Sequence, residues 1–278
     1  MTTGVFLAVL FAAMLHATWN ALVRSGVNKS SAMTLLTAGQ ASCGLIVAMI
    51  QPFPAAEVWP WLIASGIIHL AYQMFLLFAY EQGDLSRVYP IARGTAPMMV
   101  LLFGALFLAD VIAPTEVLGV LVLGLGIVLM AAGALRSGES RKLVPYALAS
   151  ALATAAYSIV DGLGARISGD PAAFVAWEML ISGTLFAPVI VWLRGRSVLK
   201  ISGGDAIKGG IAAVASYAAY AISVWAMTQA PIALVTALRE TSILFAMMIG
   251  GLIFREHMDR PKVIAAGLIV AGVVLTRL

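Results

Sequence analysis

Ten apolar runs, each close to the length of a bilayer crossing, constrain this 278-residue chain more than any other feature of its sequence. A helix needs about 20 apolar residues to span the hydrocarbon core. Such runs occur at 3–23, 31–50, 58–80, 86–108, 115–135, 143–163, 172–193, 206–227, 231–254 and 261–277. Lipid offers the backbone no hydrogen-bond partners, so runs of this kind cross as helices. Short breaks separate them, and several carry Pro, Gly or charge: QPFPAAE, RSGESRK, RISGDP, RGRSVLKISGGD and REHMDRP. The expected fold class is an all-α integral membrane protein with ten transmembrane helices and no soluble domain between them.

Composition agrees where it bears on this reading. Charged residues make up 11% of the chain, against roughly 25% in soluble domains. The net charge of +4 is scattered through the breaks, so no nucleic-acid partner is expected. The first run has no basic region before it and is too long for a signal-peptide core, so it reads as a retained helix. A single cysteine, Cys43, sits in an apolar run and reads as a small packing residue.

Basic residues set the expected orientation. Thirteen, from Arg24 and Lys29 through to Arg260 and Lys262, fall in or beside the breaks after runs 1, 3, 5, 7 and 9. Only Arg166 and Arg277 fall on the other side. The positive-inside rule then puts the richer set in the cytoplasm and both termini outward, in an inner membrane.

The chain also repeats itself. ARGTAPMMVLLFGALFLAD (92–110) aligns with LRETSILFAMMIGGLIFRE (238–256), placing Arg93 on Arg239, Thr95 on Thr241, Gly104 on Gly250 and Asp110 on Glu256. Gly119 and Gly124 share their spacing with Gly267 and Gly272. Each copy holds five runs, and an odd number makes the two copies antiparallel in the membrane. Inverted repeats of this kind mark secondary transporters, whose substrates sit near the midplane between the halves.

These half-ends resemble the EamA domain of the drug/metabolite transporter superfamily: an Arg-x-Thr segment, Gly-rich apolar sequence, an acidic residue and a Gly-containing last helix. The resemblance covers both halves, 1–137 and 138–278. It implies two inverted five-helix repeats and movement of small metabolites such as amino acids, usually outward. The second copy departs from the first by carrying Ile243 where the first has Pro97. Four-helix multidrug relatives use a glutamate in the first helix to couple export to protons. The first helix here offers His16 and no acid, so that arrangement does not carry over.

Within the runs, polar residues are expensive and therefore functional candidates. Arg93 and Arg239 lie some 10–12 Å into their helices at 1.5 Å per residue and suit a carboxylate or phosphonate, which arginine grips bidentately. Glu178 beside Trp177 suits an ammonium group, through charge and cation–π attraction together. His16, Trp19 and Asn20 form one polar-aromatic stripe, and His69, Tyr72 and Gln73 form another, each spaced i, i+3, i+4. Tyr89 and Tyr217 are further candidates, with Tyr157 and Tyr220 in the same rank. Proton-coupling candidates are Glu178, Glu240, Asp161 and His16. The sequence has no P-loop, no paired cysteines and no metalloprotease or Gly-x-Ser-x-Gly motif, so no catalytic residue, metal or cofactor is expected.

The expected function is secondary transport, by alternating access and toward export, of a small polar or zwitterionic metabolite, as a monomer or homodimer, with protons as the candidate coupling ion. Two alternatives stand beside it: uptake or exchange of an anionic or phosphonate-type metabolite, and an intramembrane enzyme acting on lipid through His16, His69 and Glu178. An enzyme would cluster its histidines with an acid on one side of the membrane. A transporter would spread its polar residues around a cavity walled by both halves.

Overall fold

A computed structural model describes residues 1–24, 29–82, 96–108, 110–135, 143–252 and 260–277. Among these residues the structure is helical throughout, with no strands. The α-helices are α1 (Thr3–Arg24), α2 (Lys29–Ala48), α3 (Trp59–Gln82), α4 (Ala96–Phe107), α5 (Pro114–Leu135), α6 (Leu143–Ser168), α7 (Pro171–Arg194), α8 (Gly203–Gln229), α9 (Ile232–Arg239), α10 (Ser242–Leu252) and α11 (Arg260–Leu275). Among the described residues seven stretches are long and apolar enough to cross a membrane: α1, α2, α3, α6, α7, α8, and α9 together with most of α10. The apolar part of α5 is shorter. The chain is a multi-pass membrane protein.

Helix boundaries follow local chemistry where caps are present. Asp170 opens α7 by accepting from the amides of Ala172 and Ala173, with Pro171 at the first position, where its missing N–H costs nothing. Ser202 opens α8 by accepting from the Asp205 amide.

The run expected as one helix over 231–254 is two. Around Glu240 and Thr241 the backbone tightens, and the amides of Glu240, Thr241, Ile243 and Leu244 bond three residues back. The Thr241 hydroxyl donates to the Leu238 carbonyl at 2.7 Å, a local competitor to the helical ladder. Proline plays no part, since the equivalent of Pro97 here is Ile243. The polar run Arg-Glu-Thr-Ser makes the break, and Arg239 closes α9 at its edge. In the first copy, α4 is described only from Ala96, so the expected start of that span at residue 86 lies outside the described residues.

The most extensive pairings join the first half of the chain to the second: α2 with α7 and α8, α5 with α11, α3 with α6 and α7, and α1 with α8 and α10; α4 packs on α9 as well. Glycines permit the closest approaches. A Cβ on Gly44 would lie 2.5 Å from the Ala176 carbonyl oxygen, and one on Gly183 would lie 2.5 Å from that of Thr37. Gly119 and Gly272 meet in the same way across α5 and α11. In both seams residue numbers rise along one helix as they fall along the other, so each pair is antiparallel. Much of the outer surface is apolar, including Ile46, Leu106, Trp192 and Leu252, as a lipid-facing wall requires.

Candidate functional site

Side chains from six helices, polar ones from five of them, meet with the α9 break at mid-height. A cavity of about 40 Å³ lies among His16 and Trp19 (α1), Met33, Leu36 and Gln40 (α2), His69, Tyr72, Gln73 and Leu76 (α3), Tyr157 (α6), Met179 (α7), Ser216 and Tyr220 (α8) and Arg239 (α9). Both halves of the chain wall it. Its volume holds a few waters and no metabolite. Apolar cores bound it. One gathers Trp19, Met33, Leu76, Phe186 and Ile190 near the end where α1 finishes, and another gathers Val58, Leu62, Phe174 and Val224 toward the opposite end.

Arg239 brings a full positive charge to the cavity lining. It is 6% exposed, and its guanidinium carbon stands 5.4 Å from the Tyr220 ring centroid, within cation–π range. Among the described residues no carboxylate lies within ion-pair distance of it. A buried cation without a carboxylate partner is costly, and the helix break delivers it to the cavity edge.

Behind one wall lies a second constellation. His69 Nε2 is 3.0 Å from both Asp161 Oδ2 and Tyr220 Oη, and 3.8 Å from Glu178 Oε1. The Tyr220 hydroxyl donates to the same Asp161 oxygen. The His69 ring stacks on Tyr157, with centroids 4.2 Å apart and planes 28° apart. Asp161 and Glu178 are both wholly buried. Asp161 Oδ1 and both Glu178 oxygens have no hydrogen-bond partner among the described residues. Neither acid lines the cavity; His69 and Tyr220 stand between.

The remaining expected residues fall into three groups. His16, Trp19, His69, Tyr72, Gln73 and Arg239 line the cavity. Trp19 Nε1 donates to His16 Nδ1 at 3.2 Å, which leaves the imidazole's other nitrogen to carry the proton in the neutral ring. Gln73 Oε1 is buried and has no partner among the described residues. Asn20, Tyr217, Trp177, Glu178, Asp161 and Glu240 are described but do not line the cavity. The Asn20 amide donates to the His16 carbonyl of its own helix. Trp177 packs edge-on against Phe53 and Trp59. Glu240 is buried in the α9–α10 break. Arg93 and Tyr89 lie outside the described residues.

Sequence reasoning passed over Gln40 and Ser216, which hydrogen-bond to each other at 2.8 Å across the two halves. Each is a single polar residue in an apolar run, a weak signal that only the pairing makes legible. Tyr157 and Tyr220, weaker candidates on sequence, both line the cavity.

Comparison with known proteins bears on the whole chain. The model of the EamA-like transporter family matches residues 2–132 and again residues 141–278. No curated protein matches the sequence significantly. A crystal structure superposes on 100% of this chain and 99% of its own with a TM-score of 0.80, at 19% sequence identity, a likeness of fold.

Proposed function

The chain belongs to the EamA-like transporter family, and from that premise we propose that it moves a small zwitterionic metabolite, amino-acid-like in its charged groups, across the inner membrane by alternating access, toward export. The observation that carries this reading is Arg239: a buried guanidinium at a helix break, facing a cavity walled by both halves, with no described carboxylate beside it. A substrate carboxylate would complete it bidentately. The Gln73 oxygen, without a partner among the described residues, and the Tyr72 ring would receive an ammonium group.

Two inverted five-helix repeats, 1–137 and 138–278, account for the helix pairing. Exchanging spans 1 to 5 for spans 6 to 10, with α9 and α10 counted as the ninth span and α11 as the tenth, turns the set of partners into itself: α1–α8 becomes α6–α3, and α2–α7, α4–α9 and α5–α11 map onto themselves. Broken helices at midplane sites are the recurring device of such transporters, and the α9–α10 break supports the same reading. The positive-inside count puts both termini outward.

His69 does cluster with an acid, as an intramembrane enzyme would require. His16 makes its ring contact with Trp19 instead, and the cavity spans both halves.

Counterflow in proteoliposomes tests the proposal, using a mixture of radiolabelled L-amino acids and, separately, 2-aminoethylphosphonate. Uptake that depends on internal unlabelled compound and vanishes in Arg239→Gln supports it. Equal fluxes in Arg239→Gln and the parent chain contradict it.

A further inference from the structure

The two acids lie behind the cavity wall and do not line it, and their surroundings suit them to another role. With Arg239 positive, Asp161 and Glu178 are matched in charge only if one proton is added to the group. Asp161 Oδ2 is well served, by Tyr220 and His69. Among the described residues Glu178 has no donor within hydrogen-bond geometry on either oxygen, the Ser182 hydroxyl lying nearby, and an ionised carboxylate buried in this way is costly. Any proton that reaches it from the cavity has to pass the wall, and the wall at that point is His69, which lines the cavity on one side and stands 3.8 Å from Glu178 Oε1 on the other.

We propose that His69 is a proton relay between water in the cavity and the buried Asp161–Glu178 pair, with Glu178 as the terminal store. Its hydrogen bonds run through Nε2, which leaves Nδ1 for cavity water. A proton from water binds Nδ1, and the imidazolium passes its Nε2 proton to Glu178 Oε1. The ring returns to neutral, the water has lost one proton and the carboxylate has gained one. The transfer requires the 3.8 Å gap to close to hydrogen-bond length, a side-chain movement that the Asp161 and Tyr220 contacts guide.

Other groups facing the ring shape the transfer. Tyr157 and Asp161 face it from α6, Glu178 from α7, Tyr220 from α8 and Tyr72 along its own helix. Arg239 lies beyond Tyr220, so a substrate carboxylate on Arg239 would change the charge that this group feels. Substrate and proton thereby act on one another through a single aromatic layer.

The inference rests on the transport reading for its purpose, and its test needs no substrate. Infrared difference spectroscopy of the purified protein reads the C=O stretch of a protonated carboxylic acid and its hydrogen–deuterium exchange after a jump into D₂O. The expected result is a carboxylic-acid band that Glu178→Gln removes. In His69→Asn that band should persist and exchange about 100-fold more slowly or worse, the scale on which positioned acid–base groups act.

Should His69→Asn not fold, the same jump on a chain labelled with ring-¹⁵N histidine, with His16 and His257 replaced by Gln, follows the one remaining imidazole. Ring and carboxyl bands changing together support the relay. Unchanged exchange in His69→Asn, bands that change at different rates, or a carboxyl band indifferent to Glu178→Gln overturns it. Absence of counterflow for every probe, with the bands behaving as expected, removes the substrate reading and leaves the relay standing.

Discussion

Two acid–base groups in this molecule are built from similar residues and satisfied in opposite ways. Toward one end of the helices, Asp110 and Arg166 form a bidentate pair, with contacts of 2.8 and 3.2 Å. The pair is finished on every side. Arg166 also donates to the carbonyls of Met227 and Ala230, and Asp110 accepts from the Ile232 amide. At mid-height, Arg239 has no described carboxylate partner, and among the described residues neither Glu178 oxygen has a partner within hydrogen-bond geometry, the Ser182 hydroxyl lying nearby.

The first group ties the stretch before α5 to the ends of α6 and α8 and to the start of α9, a clamp between the halves. The second leaves donor and acceptor capacity open to whatever enters. Satisfaction of the bonds, more than presence of charge, separates the structural ion pair from the candidate site.

That contrast can be broken by substitution, and the largest effect belongs at the centre. Arg239→Gln should abolish measurable counterflow of a carboxylate-bearing substrate while leaving the melting temperature nearly unchanged or raised, because it removes a buried charge that lacks a carboxylate. Thermal melts and flux assays on one preparation check both parts.

Asp110→Asn should do the reverse. It should destabilise by about 1.5–3 kcal/mol, the range for charge-assisted hydrogen bonds, because it strands Arg166 among carbonyls. A double-mutant cycle with Arg166→Gln should return a coupling energy of similar size. Independent, additive effects would dissolve the clamp.

Packing gives the next effect. Gly183→Ala puts a methyl about 2.5 Å from the Thr37 carbonyl oxygen and should cost about 1–3 kcal/mol, the usual penalty of overpacking. Gly203→Ala, where nothing lies nearby, should cost nothing measurable. Denaturation by graded SDS would separate the two.

The smallest change is expected within the central group itself. Glu178→Gln should be neutral to stability within about 1 kcal/mol, since no hydrogen bond is lost. Asp161→Asn should cost more, since one oxygen serves both Tyr220 and His69. A reversed order would mean that Glu178 is the better-held acid.

Length and apolar composition made most of the spans legible in the sequence, and the repeat picked out Arg239 as one of a matched pair. What the sequence could not carry is the rotation of each helix about its axis. Glu178 sits in a run that is apolar on all sides, so nothing in it shows that the carboxylate faces His69 and not the cavity. Asp161 and His69 are 92 positions apart, and their meeting depends on the register of α3 against α6, which packing of small residues sets. The break after Arg239 was hidden for a different reason. It arises from a threonine back-bond and a polar tetrad, with no proline to mark it. Tyr157 and Tyr220 stood only as weaker candidates because distance from a helix end is a poor guide to depth when helices run to 26 and 27 residues.

The most direct measurement of the central claim is ligand-induced stabilisation of the purified protein by a panel of anionic, cationic and zwitterionic metabolites, in the parent chain and in Arg239→Gln. Binding at 100 times Kd adds about 2.7 kcal/mol, well within reach of a thermal melt. The account predicts that zwitterions carrying a carboxylate or phosphonate stabilise the parent chain and that a folded Arg239→Gln loses the shift. Stabilisation by cations alone, or a full response in Arg239→Gln, would contradict it and move the site away from the broken helix.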